Sequence, residues 1–304
     1  EFRRVLFRST MRRAVEMLGK ENLVDHIDMN FGCPVPKVTR KGGGAALPFK
    51  RKLFAEIVKS AVDAAKPFKI PVTVKMRVGI DSDHETYLEA ATSAVNAGVT
   101  WVALHARTAS QMYEGKSDWS KIKNLVEHLK PTGIPVLGNG DIWSGKDALE
   151  MVSLTNCAGV VVGRGCLGRP WLFNDLVNTF SGNPTKTEPT LNEVAEIMWR
   201  HANLIVEYFE SEDRGCRDLR KHMAWYLKGF RVKRELRSAF GMVSSLSEMR
   251  FLLDQLEDQP YPIEIAEKPR GRTSHSRPTT LPDRWLDDPD ELAHVELEDA
   301  FSGG

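Results

Sequence analysis

The chain has 304 residues, 41% of them hydrophobic and 27% charged, with a formal net charge of +1. That composition fits one or two folded domains and excludes a bulk electrostatic pull toward nucleic acid, so any basic surface must be local. The four cysteines (Cys33, Cys157, Cys166 and Cys216) include no C-x-x-C pair, which argues against a disulfide framework or a cysteine-rich zinc site and for a reducing cytoplasm.

In chain order, the opening stretch EFRRVLFRST (residues 1–10) has no initiator methionine and no clean helical or strand period. It reads as an unrelated or artefactual leader and stays outside the fold reading. No signal peptide is visible, and no apolar run approaches the roughly 20 residues of a bilayer span, so no membrane association is expected.

From residue 11 to residue 182, short Val- and Ile-rich runs alternate with helical patterns. The runs DHIDMN (25–30), PVTVKMRV (71–78), TWVALHA (100–106), IPVLGN (134–139) and AGVVVG (158–163) predict buried parallel strands. KLFAEIVKSAVDAAK, ETYLEAATSAVNAG, DWSKIKNLVEHLK and SGKDALEMVSL lie between and beyond them as helices. Such alternation builds a parallel sheet, either doubly wound or closed as a (β/α)8 barrel. Lys75 with Arg77, and His105 with Arg107, stand two apart at strand ends, so each pair shares a face. A barrel collects such groups at its C-terminal mouth, whereas a doubly wound sheet covers both faces with helices. The barrel is the expected fold, as the catalytic domain over 11–182.

Four further segments over 188–258 carry apolar residues at three- and four-residue spacing and predict a small helical bundle. SLSE before MRFLLDQL has the capping-box pattern. Residues 266–304 are rich in Pro, Ser, Thr and charge, and are expected to form a disordered tail without a core of its own.

Several residues invite chemistry. Cys33, in NFGCPVPKV, follows the first strand and is open to reading as a packed thiol, a nucleophile or a proton donor; metal ligation lacks partners at a usable spacing. The residue before a proline is pushed to extended geometry, which orients Cys33 ahead of Pro34. LGNGDI and VVGRGCLGRPW end the last two strands. In barrels, consecutive glycine-bearing loops at that place commonly bind phosphate, and Arg164 offers a matching fork of donors. Lys75 is either a solvated strand-end lysine or a partner for an electron-rich flavin edge. His105 is either a satisfied structural histidine or part of a polar loop with Arg107, Thr108 and Tyr113.

DMNFGCPVPKV, VKMRVG, LHARTASQMYEGKSDW, GNGDI and VVGRGCLGRPW, in that order, resemble the tRNA-dihydrouridine synthase family. LRKHMAWYLKGF further resembles the helical domain of bacterial B-type members, and the resemblance spans about residues 11–256. It implies an FMN enzyme, reduced by NADPH, that delivers hydride to C6 of a tRNA uridine while a cysteine protonates C5. On the matching positions, Cys33 is the proton donor. Lys75, His105, Asn139, Gly140, Asp141, Gly163 and Arg164 contact FMN; Asn30 holds the uracil, and Arg77 and Arg107 meet substrate or its phosphates. A free cysteine thiol titrates near about 8.5, so such a group can give a proton at neutral pH.

The resemblance also implies tRNA as partner, docked on the helical domain at 188–258, with a cytoplasmic location and no evident obligate protein partner. Arg217, Arg220, Lys221, His222, Lys228, Arg231, Lys233 and Arg234, with Trp225 and Tyr226 between them, offer a basic face with aromatics or simply a solvated helix. Family members carry a PMAG-like turn and two more strands ahead of the cysteine strand, and nothing like them precedes Asp25. An N-terminal truncation, a barrel limited to strands 4–8, poor or no FMN binding and an inactive fragment are therefore expected. A small-molecule FMN dehydrogenase and a non-catalytic RNA-binding protein are the competing readings, the first disfavoured by the basic helices.

Overall fold

The computed structural model describes residues 2–271 and 274–291, with side chains described from residue 9 onward. In chain order the elements are α1 (Phe2–Lys20), β1 (Ile27–Phe31), α2 (Pro36–Thr39), α3 (Arg51–Ala65), β2 (Val72–Arg77), α4 (Tyr87–Ala97), β3 (Val102–His105), α5 (Trp119–Leu129), β4 (Val136–Asn139), α6 (Gly145–Thr155), β5 (Gly159–Val161), α7 (Leu172–Phe180), α8 (Leu191–Phe209), α9 (Glu212–Tyr226), α10 (Arg234–Phe240), α11 (Leu246–Leu253) and α12 (Ile263–Ala266). The chain divides into two compact units. One comprises Glu1–Gly140, Glu150–Val161 and Thr273–Gly304, the other Asp141–Leu149 and Val162–Arg272.

The first unit holds the α/β sheet. Its five strands are parallel and lie in the order β1-β2-β3-β4-β5. Doubly wound sheets reverse their strand order at a switch point; this sequential order does not. Alternation along each strand then sorts the residues. Met29, Phe31, Val74, Met76, Val102 and Leu104 share one face and are all buried. That face meets helices: the Phe31 ring stands edge-on to Phe54 of α3 at 4.7 Å. A Cβ at Gly138 of β4 would lie 2.4 Å from Met151 Sδ of α6 and 3.3 Å from Ile122 of α5, so only glycine lets those helices come this close. The opposite face carries Asp28 and Asn30, then Thr73, Lys75 and Arg77, then His105, then Asn139. The sheet thus has helices on one face and polar groups on the other.

The local signals explain the element ends. Gly98, at φ +100°, terminates α4 in the left-handed conformation that glycine supplies without strain. Asp118 caps α5 by accepting from the Ser120 N–H at 3.0 Å. Residues 2–10 belong to one helix with 11–20, although their sequence predicts no element.

In the second unit α8 to α11 enclose a core that includes Leu191, Met198, Leu219, Met223, Phe240 and Met249. The SLSE segment forms half of the expected capping box: Ser245 Oγ accepts from Glu248 N–H at 3.1 Å, while the Glu248 carboxylate turns to Ser244 N–H at 2.8 Å. The reciprocal box lies instead at Thr190 and Glu193 of α8, where both bonds are present.

The expectation of a coreless tail meets a different arrangement. Residues 274–291 have no helix or strand, yet they place Trp285 in the first unit, 4% exposed, against Ala46 and Ile80. They borrow a core rather than build one. Residues 292–304 lie outside the described residues.

Replacing Thr190 with Ala should lower the stability of the helical unit by about 1 kcal/mol, read as a lower urea midpoint at unchanged m-value. Ser245→Ala should cost a similar amount.

Candidate active site

The strand register sets the polar face out in rows. Asn30 of β1 stands beside Lys75 of β2, and one row further on Arg77, His105 and Asn139 stand side by side. Below Lys75, Thr73 Oγ donates to Asp28 Oδ1 at 2.7 Å, and His26 Nε2 lies 2.8 Å from the same hydroxyl. The hydroxyl has one proton, already given to Asp28, so His26 must be the donor to it.

Lys75 is the electrostatic outlier of this face. Burial, then the positive charge of Arg77, pulls its pKa from 10.5 down to about 8, with Asp28 opposing the shift. A lysine held there stays mainly charged at neutral pH while ready to shed its proton.

The two arginines of this region are buried and bonded to main-chain carbonyls. Arg77 is 3% exposed; its Nε donates to Gly32 O at 3.0 Å and its Nη1 to Thr108 O and Met112 O at 2.7 and 2.8 Å. Its guanidinium also lies 5.4 Å from the Tyr113 ring centroid. Arg107 is 1% exposed and donates to Glu114 O at 3.2 Å and Gly115 O at 2.7 Å. Its Nη1 is 3.4 Å from His105 Nε2. An arginine can only donate, so this contact calls for an unprotonated Nε2 and hence a neutral His105. Both guanidiniums therefore hold main-chain carbonyls of the loops after β1 and β3.

Cys33 is half-buried and free. Its loop begins with Asn30, whose Oδ1 accepts from Gly32 N–H at 3.0 Å, an Asx turn. The loop is backed by a 3-10 helical turn, Gly44–Phe49, where Ala45 N–H donates to Cys33 O at 3.0 Å. Gly44, at φ +55°, lies so close that a Cβ there would be 2.4 Å from Cys33 O and 3.1 Å from Cys33 Cβ. Sequence reasoning passed over Gly44, though the run Gly42-Gly43-Gly44 was a visible signal that a backbone passes close by.

Asn139 and Gly140 end β4. Asn139 Nδ2 donates to Val161 O at 2.7 Å, tying β4 to β5. Gly140 has φ +125°, and a Cβ on it would fall 2.0 Å from Ser117 Oγ and 3.2 Å from the His105 ring. Trp119 Nε1 donates to Gly140 O at 3.0 Å.

The remaining predicted residues lie in the second unit. Asp141, at φ +55°, pairs with Arg164 Nη2 at 3.4 Å, and the Arg164 guanidinium lies 5.1 Å from the Trp143 ring centroid. The glycines of VVGRGCLGRPW divide. A Cβ at Gly165 would strike Ile142 O at 2.2 Å, so the protein's own packing demands that glycine, whereas a Cβ at Gly163 would meet nothing within 4 Å. Gly163 is not required by packing; its carbonyl accepts from Cys166 N–H at 3.3 Å and from Cys166 Sγ at 3.1 Å.

The basic helices are less open than their sequence suggests. Arg217 pairs with Asp213 and Lys221 with Asp218, and Arg220 donates to Val243 O and Met242 O, both at 2.8 Å. Tyr226 is in the core, its hydroxyl 3.1 Å from His201 Nδ1. Burial, with His201 and Lys221 nearby, pulls the His222 pKa to about 4, so it is neutral and adds no charge. Arg231, Lys233 and Arg234 are exposed. Among the described residues no group of three or more His, Cys, Asp or Glu could hold a metal ion, and no helix is long and apolar enough to cross a membrane.

Comparison with known proteins adds a second line. Residues 7–262 match the family model for dihydrouridine synthase. A protein named "Probable tRNA-dihydrouridine synthase" from Mycobacterium leprae is 54% identical over 284 residues, covering 93% of this chain and 73% of that protein. One of the same name from Mycobacterium tuberculosis is 53% identical over 296 residues, 97% of this chain and 75% of that protein. The "tRNA-dihydrouridine synthase B" of Pasteurella multocida is 36% identical over 228 residues, 75% of this chain and 67% of that protein.

Lys75 yields a titration test. Between its folded pKa of about 8 and the ordinary 10.5, the unfolded chain binds the extra proton, so stability rises with pH across that window. The stability of the wild type minus that of Lys75→Met should therefore climb by roughly 3 kcal/mol between those limits, followed by urea titration at each pH.

Proposed function

The chain belongs to the dihydrouridine synthase family, and from that premise we propose that it converts uridines of tRNA to dihydrouridine with FMN as resident cofactor and NADPH as reductant. The reaction adds a hydride and a proton across the C5–C6 double bond of the base. The single observation that carries the assignment of roles is the polar face of the sheet, where Asn30 and Lys75 stand side by side at the mouth of the half-buried Cys33 loop.

Each unit offers donors that suit a flavin. In the second, Arg164 after Gly163 has a guanidinium fork suited to phosphate; in the first, Lys75 brings a partly desolvated ammonium to the polar face, suited to an electron-rich flavin edge. Asn139, Gly140, Asp141 and His105 complete the proposed holding set. FMN, when bound and reduced by NADPH, supplies the hydride that reaches C6. The protein's own part is acid catalysis and placement. Cys33 gives the proton that C5 requires, its main chain held by the bond from Ala45 N–H to Cys33 O. Asn30 has its Oδ1 engaged by Gly32 N–H, so it meets the uracil through the Nδ2–H donors that suit carbonyl acceptors. Arg77 and Arg107 are positioning residues: buried and bonded to loop carbonyls, they hold the loops that carry Cys33 and Tyr113.

We read the sheet as five consecutive strands of the barrel, and α8–α11 as the helical bundle that docks folded RNA. The exposed Arg231, Lys233 and Arg234 are its proposed phosphate contacts. The cytoplasm, where tRNA is processed, is the matching location.

The test is dihydrouridine content of tRNA, measured by mass spectrometry after reaction with the purified protein, FMN and NADPH. Cys33→Ala should lower the rate by about 10²- to 10⁴-fold, the usual worth of a general acid. Undiminished conversion would remove Cys33 from the mechanism.

A further inference from the structure

Residues 274–291 lie beyond the family match, which ends at residue 262. They nonetheless fall within the alignment to the Mycobacterium tuberculosis protein, which takes in 296 of the chain's 304 residues. What they do is legible in their contacts. Trp285 is 4% exposed and donates from Nε1 to Ala46 O at 3.1 Å. The edge of its ring comes so close to Gly42, at φ +75°, that a Cβ there would be 2.4 Å from it. Lys50, itself 1% exposed, stands 5.2 Å from the centroid of that ring. Its ammonium donates to Asp288 O at 2.7 Å and to Glu291 at 3.2 Å. A buried lysine is stable as a cation only when so engaged, so the contact is one the segment supplies and the rest of the unit does not replace.

Gly42 and Ala46 bracket Gly44, where an added Cβ would fall 2.4 Å from Cys33 O and 3.1 Å from Cys33 Cβ. The indole thus grips the turn that backs the cysteine, with Ala45 N–H bonded to Cys33 O inside the same turn. The segment also reaches the loop after β3: Arg277 N–H donates to Ser110 O at 2.9 Å, and Ser276 N–H bonds the Glu114 carboxylate. That carboxylate belongs to the residue whose carbonyl receives Arg107. Both loops lie within the first unit.

We propose that residues 274–291 form a strap that sets the geometry of the active-site loops, with Trp285 as a positioning residue for Cys33. The proposal rests on the assignment of Cys33 as proton donor. Trp285 touches neither base nor flavin in this scheme; it acts through Gly42, Ala46 and Gly44. Loss of the indole frees the turn, and the thiol then samples positions away from the one that serves C5. Displacing a reacting group by an ångström costs on the order of 10- to 100-fold in rate.

The experiment uses the full chain and two readouts. The first is alkylation of each cysteine by iodoacetamide, followed by peptide mass spectrometry, which needs no activity. The second is kcat and KM for tRNA. Trp285→Ala should raise the alkylation rate of Cys33 severalfold while Cys157, Cys166 and Cys216 keep theirs, and should lower kcat by roughly tenfold at similar KM. Trp285→Phe, which keeps a ring against Gly42, should recover most of both. If Trp285→Ala does not fold, Trp285→Leu, which keeps apolar volume but lacks the N–H to Ala46, carries the same comparison. An unchanged Cys33 rate, or a rise shared by all four cysteines, overturns the strap. A selective rise at Cys33 in a protein whose Cys33→Ala variant remains fully active upholds the strap and rejects the proton-donor assignment.

Discussion

A guanidinium keeps its proton at any pH a protein survives, so once buried it must find acceptors for its N–H groups. Arg77 and Arg107, 3% and 1% exposed, impose that requirement at the ends of β2 and β3. They meet it with main-chain carbonyls of Gly32, Thr108, Met112, Glu114 and Gly115. Five irregular peptide groups are thereby held by two side chains. An unsatisfied buried donor costs about 1–3 kcal/mol, which is enough to make the loops follow the arginines. Gly32 precedes Cys33, so the same constraint that keeps a charge buried also holds the Cys33 loop against β2.

Around this anchor the sheet divides its labour by face. Apolar side chains at alternate positions meet α3, α5 and α6, and the intervening positions are left for polar chemistry. The pulled-down pKa of Lys75 follows from that division: its stem is packed in the sheet while Arg77 shares its face. Glycines mark where the chain's own backbone comes closest. At Gly44, Gly140 and Gly165 the neighbour is part of the protein. At Gly163, as at Gly115, Gly133 and Gly182, a Cβ would meet nothing within 4 Å, and this contrast separates the glycines that packing demands from those it does not.

Much of this was legible in the sequence. Four of the five strands lie within the Val- and Ile-rich runs that predict them, and β1 ends one residue past its run, at Phe31. The runs are informative because a strand with one face against helices needs apolar residues at alternate positions. The helices between them were legible from their apolar spacing, and Asn-Ala-Gly marked the end of α4. The roles of Arg77 and Arg107 were not, since a cation at a strand end looks the same whether solvated or folded over by a loop. His222 and Tyr226 posed the same problem: a helical pattern of basic and aromatic residues does not say which of them turns inward. Trp285 was invisible for another reason. Its partners lie some 240 residues earlier, and a Pro- and Ser-rich stretch carries no period that would announce them.

By itself, then, the sequence determined the α/β class, the order of its elements, the dihydrouridine synthase family and the identity of the groups available for chemistry. These depend on periodicity and on short motifs, both of which are local properties of the chain. Only the tertiary structure decided which cations are buried and spent on carbonyls, which glycines the packing demands, and where the C-terminal segment lies. Those depend on contacts between residues distant in sequence, and burial and hydrogen bonding exist only once such residues have been brought together.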